Sequence, residues 1–255
     1  MAAGRVALVQ GASRGLGLQF CKHILAVRKD ARVIATCRSP ERASGLQALS
    51  QQYPGVRLAV LQLAATREAE IRQGAVENYG HLDLLVSCGT MLHLSGRGET
   101  SLREVLAEGL SMTLATNTIG PLVMAKHFSP LLLKGTRQHR AVLVNMTAKV
   151  GSIEDNGLGG WYSYRMSKAA LNMATKNLSI ELGRGKTKVV CICLHPGTVN
   201  TDLSKPYHKN VPKNKLFTPE HSVNCLMNII ENLEMGKTGK FFAWDGSELP
   251  WRRIL

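Results

Sequence analysis

The sequence predicts an α/β protein in which helices cover both faces of a parallel sheet, a doubly wound arrangement. Short, nearly continuous apolar runs, typical of strands buried on both faces, alternate along the chain with longer stretches of helical periodicity. No internal repeat, low-complexity segment or linker interrupts this alternation. We therefore predict a single domain over residues 1–255, a length that suffices for one large α/β core.

The first half of the chain contains four predicted strands. Each is rich in Val, Ile, Leu and Ala, and the segments between the first three strands and their successors are long enough for crossover helices. In order, we predict a strand at 5–10, a helix at 18–27, a strand at 32–38, a helix at 41–53, a strand at 56–63, a helix at 67–79 and a strand at 82–87.

The second half continues the alternation. Residues 101–133 have mainly helical periodicity, but Gly120 and Pro121 after the polar Asn117 predict a kink or an irregular turn there. The remaining predicted elements are a strand at 141–145, a helix that contains Tyr164 and ends near Gly183, a strand at 189–194, a loop at 195–202, a helix at 222–233 and a short strand at 240–243.

A glycine-rich turn joins the first strand to the first helix. Its glycines have the spacing Gly-x-x-x-Gly-x-Gly, and its residues are Gly11, Ala12, Ser13, Arg14, Gly15, Leu16 and Gly17. Glycines allow the backbone to approach a pyrophosphate, and the N-terminus of the following helix supplies N–H groups and a positive dipole. The turn therefore predicts a dinucleotide-phosphate site.

Two arginines indicate which dinucleotide is bound. An NAD site requires an acidic residue near the end of the second strand to hold the ribose 2′-hydroxyl, and residues 33–39 contain none. Arg38 stands there instead, and Arg14 lies in the glycine-rich turn, so both can hold a 2′-phosphate by charge-assisted hydrogen bonds. We predict NADP as the cofactor; the alternative is that these are ordinary surface arginines.

Tyr164 and Lys168 are four residues apart in a predicted helix, which places them on one face with their Cβ atoms about 5–6 Å apart. An ammonium beside a phenol favours the phenolate and lowers the pKa of the phenol, so that the tyrosine exchanges a proton with a carbonyl or alcohol oxygen near neutral pH. Tyr162 lies off that face. The alternative is a solvated helix face, since Tyr-x-x-x-Lys also occurs by chance.

The net charge of +14 raises the question of an anionic partner. The basic residues are spread along the chain without aromatic–basic repeats, so nucleic acid is not the expected partner. The densest basic cluster, at residues 205–215, is either a solvated face or an attractor for a phosphorylated cofactor or acidic ligand.

The cysteines and the apolar runs bear on compartment. The six cysteines are scattered, mostly in apolar runs, without the spacing of a zinc site, so we predict reduced thiols, no metal and a cytoplasmic protein. No apolar run approaches the roughly 20 residues that a membrane helix needs. The first strand begins so early that no removable signal peptide is expected before it.

Taken together, these motifs resemble those of the short-chain dehydrogenase/reductase family over essentially the whole chain. The matching residues are Gly11, Gly15, Gly17, Asn117, Tyr164, Lys168 and the run Pro196-Gly197-Thr198-Val199-Asn200-Thr201-Asp202. The tail at 239–251 resembles the branch of C-factor-like and sniffer-type carbonyl reductases.

The resemblance implies a Rossmann-type fold, bound NADP(H), and hydride transfer between nicotinamide and a small carbonyl or alcohol substrate. It implies that Tyr164 donates the proton, that Lys168 holds the nicotinamide ribose and lowers the Tyr164 pKa, and that Asn117 anchors a proton-relay water. The residues expected to contact the cofactor are Gly11, Ser13, Arg14, Gly15, Leu16, Gly17, Arg38, Asn117, Tyr164, Lys168, Pro196, Gly197, Val199 and Thr201. It also implies a homodimer or homotetramer, assembled through apolar faces of the 101–133 helix and the Tyr164 helix.

The chain departs from the family pattern in four places. Gln10 replaces the usual Thr, Ala64 replaces the Asp that contacts adenine, and Ser87-Cys88-Gly89-Thr90 replaces Asn-Asn-Ala-Gly. The fourth departure is Ala148, which stands where the family has its catalytic serine.

A methyl group at position 148 cannot donate a hydrogen bond to the substrate oxygen, and loss of one such donor costs about 10²–10³ in turnover. Strand alternation points the neighbouring Thr147 to the opposite face, and Ser152 can substitute only if the chain bends back. Two functions therefore stay open: an NADP-dependent oxidoreductase of reduced activity, or an NADP-binding pseudoenzyme that acts as a sensor or scaffold.

Overall fold

The structure is a computed structural model that describes residues 4–53, 55–76, 80–135 and 140–251. Its strands are, in chain order, β1 (Val6–Gln10), β2 (Arg32–Cys37), β3 (Leu58–Gln62), β4 (Leu84–Ser87), β5 (Ala141–Met146), β6 (Val189–His195), β7 (Thr198–Val199), β8 (Leu216–Phe217) and β9 (Phe241–Ala243). Seven of them form one parallel sheet in the order β3-β2-β1-β4-β5-β6-β9, and β7 pairs with β8.

Helices cover both faces of this sheet. They are α1 (Gly15–Val27), α2 (Ser44–Gln52), α3 (Glu68–Val76), α4 (Ala107–Leu114), α5 (Gly120–Leu132), α6 (Tyr162–Glu181) and α7 (Pro219–Glu231). Alternate residues of β1 enter different cores: Ala7 and Val9 pack with α1, α2 and α7, whereas Val6 and Leu8 pack with α3, α5 and α6. The predicted doubly wound, Rossmann-type parallel sheet is confirmed.

Several boundaries differ from the sequence-based prediction for local reasons. The segments predicted as the start of a helix at 41 and of a strand at 56 form single 3-10 turns, Pro40–Arg42 and Gly55–Arg57, so α2 and β3 begin later. The helix predicted from 222 begins at Pro219, because the Thr218 hydroxyl accepts a hydrogen bond from the His221 N–H and caps it. Residues 77–79 of the predicted third helix lie outside the described residues.

The predicted irregularity near Asn117 is confirmed. After a 3-10 turn at Leu102–Glu104, α4 leads into a π-helical turn, Ala115–Ile119, and α5 follows without a break. Single π-helical turns are frequent at functional sites. The predicted loop at 195–202 contains the short strand β7, whose partner β8 is too brief to produce a periodic sequence signal.

Two findings bear on compartment and membrane association. All six cysteines are free thiols. Within the described part of the chain, no helix has the length and apolar character needed to cross a membrane.

The carboxyl ends of β1 and β4 define the crevice of the fold. Gln10 at the end of β1 is paired with Thr36 of β2 on one side and with Ser87 of β4 on the other. Because the chain leaves β1 and β4 toward opposite faces of the sheet, a ligand crevice opens between their ends.

Gln10 and Gly89, two of the residues that depart from the family pattern, are in contact at this edge of the sheet. The Gln10 side-chain oxygen accepts a hydrogen bond of 2.9 Å from the Gly89 N–H. A Cβ atom at position 89 would lie 2.3 Å from the Gln10 amide nitrogen, so the longer side chain at 10 requires glycine at 89.

We therefore expect Gly89→Ala to lower the free energy of unfolding by about 1–3 kcal/mol, because the added methyl displaces the buried Gln10 amide. Urea unfolding measures this cost. In a Gln10→Ala background the same substitution should cost much less, since the clash is gone. Gly157→Ala is the control, because its Cβ meets open space. Equal costs in both backgrounds would show that the two residues are not coupled.

Candidate active site

The glycines of the turn allow close contact between backbone segments. A Cβ atom at Gly11 would lie 2.4 Å from the Gly89 nitrogen, and one at Gly17 would lie 2.3 Å from the Gly11 carbonyl oxygen. Gly15 has a φ of +56°, in the region that favours glycine. Helix α1 begins at Gly15, and the side chain of the preceding residue, Arg14, does not cap its N-terminus. Its first N–H groups therefore suit a phosphate.

The loop after β6 lies against this turn. The Thr201 methyl is 3.3 Å from the Cβ position of Gly15, and Asp202 forms an exposed ion pair of 3.1 Å with Arg14. Pairing of β7 with β8 holds this loop, with Val199 buried opposite Phe217.

The structure thus brings the predicted cofactor residues of the turn and of the 196–201 loop together. Within the turn, Ser13 is half-buried and Leu16 packs partly against the core. Within the loop, the Pro196 carbonyl accepts from the Ser222 hydroxyl at 2.8 Å, and Gly197 turns with a φ of +76°.

Arg38 is exposed directly after β2, on the side of the turn. The carbonyl of Thr36, two residues earlier, accepts hydrogen bonds from the N–H groups of Gly11 and Ala12. The end of β2 is therefore tied to the turn, which positions Arg38 and Arg14 around the same crevice.

At the end of β3 the chain offers no acidic side chain at position 64. The N–H of Ala64 donates to the Glu70 carboxylate at 2.7 Å, and this hydrogen bond lowers the pKa of Glu70. The carboxylate of Glu70 is thus engaged by the backbone at position 64.

Tyr164 and Lys168 are both buried in the first half of α6. The Lys168 ammonium lies 5.7 Å from the centre of the Tyr164 ring, and it donates a hydrogen bond of 2.9 Å to the Met146 carbonyl at the end of β5. The predicted pair is thus present on one helical face, and its lysine is anchored to the sheet.

The expectation that Lys168 lowers the Tyr164 pKa is wrong for the ligand-free chain. Burial raises the pKa of Tyr164 to about 12. Burial also lowers the pKa of Lys168 to about 8, so the ammonium still predominates at neutral pH. Desolvation of the phenolate outweighs the ammonium because the lysine lies beside the ring and hydrogen-bonds elsewhere.

Asn117 is fully buried in the π-helical turn, and both the nitrogen and the oxygen of its side-chain amide have hydrogen-bond partners. Its amide nitrogen donates to the Met91 carbonyl and to the Ser167 hydroxyl, at 2.8 and 3.0 Å. Its oxygen accepts from the Met91 N–H and from the Thr90 hydroxyl, both at 2.9 Å. Asn117 therefore joins the segment after β4 to α6.

The segment 88–91 lies between the glycine-rich turn and the tyrosine. On one side Gly89 closely approaches Gly11; on the other, the Thr90 hydroxyl donates to Asn117, which in turn donates to Ser167 of α6. Sequence reasoning treated Thr90 only as a departure from the family pattern. A polar residue directly after a strand that ends at the crevice was the available signal.

Glu99 is a second residue that sequence reasoning missed. It is buried, its carboxylate accepts from the Ser163 N–H and hydroxyl, and its carbonyl accepts from the Trp161 N–H. A carboxylate at a helix N-terminus is stabilised by the dipole. Glu99 thereby fixes the first turn of α6, which begins two residues before Tyr164.

Aromatic rings form a wall beside the phenol. Trp161 adopts a left-handed backbone with a φ of 50°, uncommon outside glycine, and its ring meets the Tyr164 ring edge-on at 6.1 Å. The Tyr207 ring packs on Trp161 at 4.6 Å, and its hydroxyl accepts from the Gly98 N–H. The Tyr164 phenol is thus bordered by an apolar surface.

The hydroxyls near Ala148 are engaged elsewhere. The Thr147 hydroxyl donates to the Asn172 side chain at 2.7 Å, as the alternation of the strand predicted. The Ser152 hydroxyl donates to the Pro250 carbonyl at 2.6 Å and accepts from the Asp155 N–H. Neither hydroxyl takes the place of a serine at position 148.

The crevice fits a dinucleotide. Its turn has glycine where Cβ atoms would collide, a helix N-terminus without a side-chain cap, and two arginines near the ends of β1 and β2. The residues that would hold it are those of the turn, Arg38, Lys168 and the 196–201 loop.

Comparison with known proteins agrees with this reading. The C-signal protein of Myxococcus xanthus is 34% identical over 151 residues, 59% of this chain and 84% of its own. An NADPH-bound carbonyl reductase from chicken fatty liver superimposes with a TM-score of 0.86 at 32% identity, covering 98% of this chain and 100% of its own. Carbonyl reductase Sniffer of D. melanogaster superimposes at 0.85 with 28% identity, covering 97% of this chain and 99% of its own.

These relatives confirm the predicted resemblance, including its C-factor-like and sniffer-type branch. The model of the short chain dehydrogenase family matches residues 5–212, from the first strand through the glycine-rich turn and α6 to the loop after β6. The chain belongs to the short-chain dehydrogenase family.

Proposed function

We propose that this oxidoreductase uses NADP(H) and transfers a hydride between the nicotinamide and a small carbonyl or alcohol substrate. The observation that carries the proposal is the segment 88–91, which touches the glycine-rich turn through Gly89 and is joined through Asn117 to α6, the helix that contains Tyr164. A group bound along the turn is thereby brought beside the phenol. The NADPH in the chicken carbonyl reductase supports the choice of cofactor.

The chain's own residues supply the proton and the orientation. When bound, NADPH supplies the hydride. Tyr164, with a pKa of about 12, is protonated at neutral pH and can give its proton to the oxygen of a carbonyl. Lys168 stabilises the phenolate that results, since its ammonium predominates at that pH. Asn117 holds α6 to the segment after β4, and its expected role as an anchor for a relay water is part of the proposal.

The aromatic wall bears on the substrate. Trp161 and Tyr207 border the phenol with apolar surface, so a carbonyl compound with an apolar or planar body suits the site. The six free thiols support a cytoplasmic location, where cysteines stay reduced.

Ala148 argues for reduced turnover. It follows β5 where the family has its serine, and the hydroxyls of Thr147 and Ser152 are bound to other groups. This same observation favours the second candidate, an NADP-binding pseudoenzyme that acts as a sensor or scaffold. Turnover of a panel of aldehydes, ketones and quinones with NADPH separates the two, because only the oxidoreductase consumes the cofactor.

We also propose a homodimer or homotetramer. Met166, Met173 and Ile180 are exposed at seven-residue spacing along α6. Exposed apolar residues also follow the neighbouring α4, π turn and α5: Met112, Ile119 and Leu122. Two adjoining helices with exposed apolar faces suit a self-complementary contact between two copies of the chain.

NADPH should bind at least about tenfold more tightly than NADH, a difference of about 1.4 kcal/mol, because Arg14 and Arg38 offer charge to a 2′-phosphate. Cofactor fluorescence titration measures both affinities. Arg38→Ala should weaken the binding of NADPH and leave the binding of NADH nearly unchanged. Arg32→Ala, at the opposite end of β2, is the matched control. Equal affinities for the two cofactors in the wild type would contradict the assignment.

Ala148→Ser should raise turnover about 10-fold or more, because it restores a donor to the oxyanion that forms on the substrate. Steady-state kinetics with an accepted carbonyl measures this. Tyr164→Phe should abolish turnover in both backgrounds, since it removes the proton. Ala59→Ser, the same change on the edge strand β3, is the control. If the wild type is active and Ala148→Ser does not change its turnover, another group donates the hydrogen bond to the substrate. If neither protein turns over any carbonyl while NADPH binds, the result supports the pseudoenzyme.

Analytical ultracentrifugation should find two or four copies of the 27.8 kDa chain at micromolar concentration. Met173→Lys, which places a charge in the middle of the α6 stripe, should shift the distribution toward the single chain. Val27→Lys is the control, because Val27 is an equally exposed apolar residue at the end of α1. A wild type that sediments as a single chain would refute the assembly.

A further inference from the structure

A strongly basic stretch lies between β7 and β8. Residues 204–215, which we call the basic segment, contain four lysines and no acidic residue. In the described part of the chain, the lysines that form ion pairs are Lys126, Lys149 and Lys240, all outside this segment. The positive charge of the basic segment is therefore not neutralised by an ion pair there. Its lysines, all exposed, are Lys205, Lys209, Lys213 and Lys215.

The middle of the basic segment is fixed beside the phenol. The Tyr207 ring packs on the Trp161 ring at 4.6 Å, and the Tyr207 hydroxyl accepts a hydrogen bond of 2.8 Å from the Gly98 N–H. The Trp161 ring in turn meets the Tyr164 ring edge-on at 6.1 Å. Two ring contacts therefore connect the phenol to the basic segment, which borders the place where a substrate of Tyr164 would lie.

Both ends of the basic segment are tied to β7. At its start, the Ser204 hydroxyl donates to the Val199 carbonyl and lies 2.7 Å from Nε2 of His208. Directly after its end, β8 pairs with β7. The imidazole of His208 is thus engaged within the segment, whereas the four lysines extend into solvent. A segment held at its middle and at both ends keeps its lysines at the edge of the site.

Lys205 and Lys209 stand on either side of Tyr207, each two residues away. Two residues span at most about 7 Å of backbone, and lysine carries its charge at the end of a flexible four-carbon stem. Both ammonium groups can therefore reach a group bound beside the Tyr207 ring. Arg97, which is exposed directly before Gly98, adds a cation from a second part of the chain.

Resting on the oxidoreductase function proposed above, we propose that the substrate is a carbonyl compound with an anionic group, which Lys205 and Lys209 bind while the carbonyl lies at Tyr164. The apolar body between the two groups packs against Trp161 and Tyr207. A lysine ammonium acts as a point charge, so a carboxylate and a phosphate both suit it. The lysines attract and hold the substrate and take no part in the transfer of hydride or proton.

The carboxylates next to the basic segment and its anchor points are engaged elsewhere. The Thr100 N–H donates to Glu104 at 2.6 Å and is the main cause of its lowered pKa, to which the charge of Arg97 also contributes. Glu104 therefore offsets part of the charge of Arg97, and the tests below address the two lysines. The other carboxylates and their partners are buried Glu99 with the Ser163 N–H, and Asp202 with Arg14.

The first test measures binding without turnover. An alcohol cannot react when NADPH is bound, because both are already reduced. Isothermal titration calorimetry on protein saturated with NADPH compares 4-(hydroxymethyl)phenylacetate with its neutral amide at low salt. Two nearby exposed charges should make the carboxylate bind about fivefold more tightly. The preference should shrink in about 0.5 M NaCl, because salt screens exposed charges.

Matched variants assign this preference to the basic segment. Lys205→Gln combined with Lys209→Gln should reduce it to about twofold or less, because both charges are lost. Lys205→Arg combined with Lys209→Arg keeps the charges and should keep the preference. The control is Lys29→Gln combined with Lys134→Gln, since these exposed lysines follow α1 and α5 at the opposite edge of the sheet. The affinity for NADPH is measured for every variant.

The second test measures the reaction. Initial rates with NADPH give kcat/KM for (4-formylphenyl)acetate and for (4-formylphenyl)acetamide. The methylene group separates the charge from the ring, so the two aldehydes have similar intrinsic reactivity. The ratio of their kcat/KM values should favour the carboxylate about fivefold in the wild type and fall in the double glutamine variant of Lys205 and Lys209.

The outcomes separate this inference from the proposed function. Equal binding of carboxylate and amide to the wild type at low salt overturns the inference, and so does equal kcat/KM for the two aldehydes. A preference that the double glutamine variant of Lys205 and Lys209 retains also overturns it. A preference for the carboxylate in binding, without turnover of either aldehyde, supports the anion site and contradicts the oxidoreductase.

Two further results would assign the charge to another role. If the Lys29 and Lys134 control loses the preference equally, the net charge of the whole chain attracts the anion, and the inference is overturned. If the double glutamine variant of Lys205 and Lys209 loses affinity for NADPH while the preference is unchanged, these lysines bind the cofactor, and the inference is again overturned.

Discussion

The close backbone approach at the carboxyl ends of β1 and β4 is the constraint on which the site depends. Gly89 lies so near Gly11 that neither position has room for a side chain, and the Gln10 amide occupies the remaining space. The segment after β4 is thereby held against the glycine-rich turn. Because the next residues, Thr90 and Met91, are bound through Asn117 to α6, the same segment links the crevice to the helix that contains Tyr164.

This constraint makes most of the departures from the family pattern intelligible together. Gln10 and Gly89 compensate each other in volume, and Glu70 binds the backbone N–H of Ala64, which has no carboxylate of its own. Ala148 is the departure without a structural counterpart at the substrate side, since Ser152 is committed to Pro250. Three of the four departures thus have a structural partner, and Ala148 has none among the hydroxyls of Thr147 and Ser152.

Sequence reasoning could predict the parts of this molecule that depend on local pattern. Apolar runs predicted the sheet strands, the glycine spacing predicted the crevice, and the Tyr164–Lys168 interval predicted that the two side chains share one helical face. The contributions of Thr90 and Glu99 could not be predicted in this way, because each acts through a partner 27 or more residues away in the chain. The raised pKa of Tyr164 could not be predicted either, because the four-residue spacing from Lys168 does not indicate how deeply the phenol is buried.

The ionisation state of Tyr164 bears on both directions of the proposed reaction. Tyr164 with a pKa of about 12 holds its proton at neutral pH, which is the form that the proposed carbonyl reduction requires. Alcohol oxidation needs the phenolate instead, which is costly in a buried site unless positive charge and a hydrogen-bond donor face it. Lys168 supplies the charge because its pKa of about 8 keeps the ammonium predominant, while the neighbouring thiols remain neutral. In the proposed reaction, both directions therefore depend on how well Lys168 offsets the desolvation of the Tyr164 phenol oxygen.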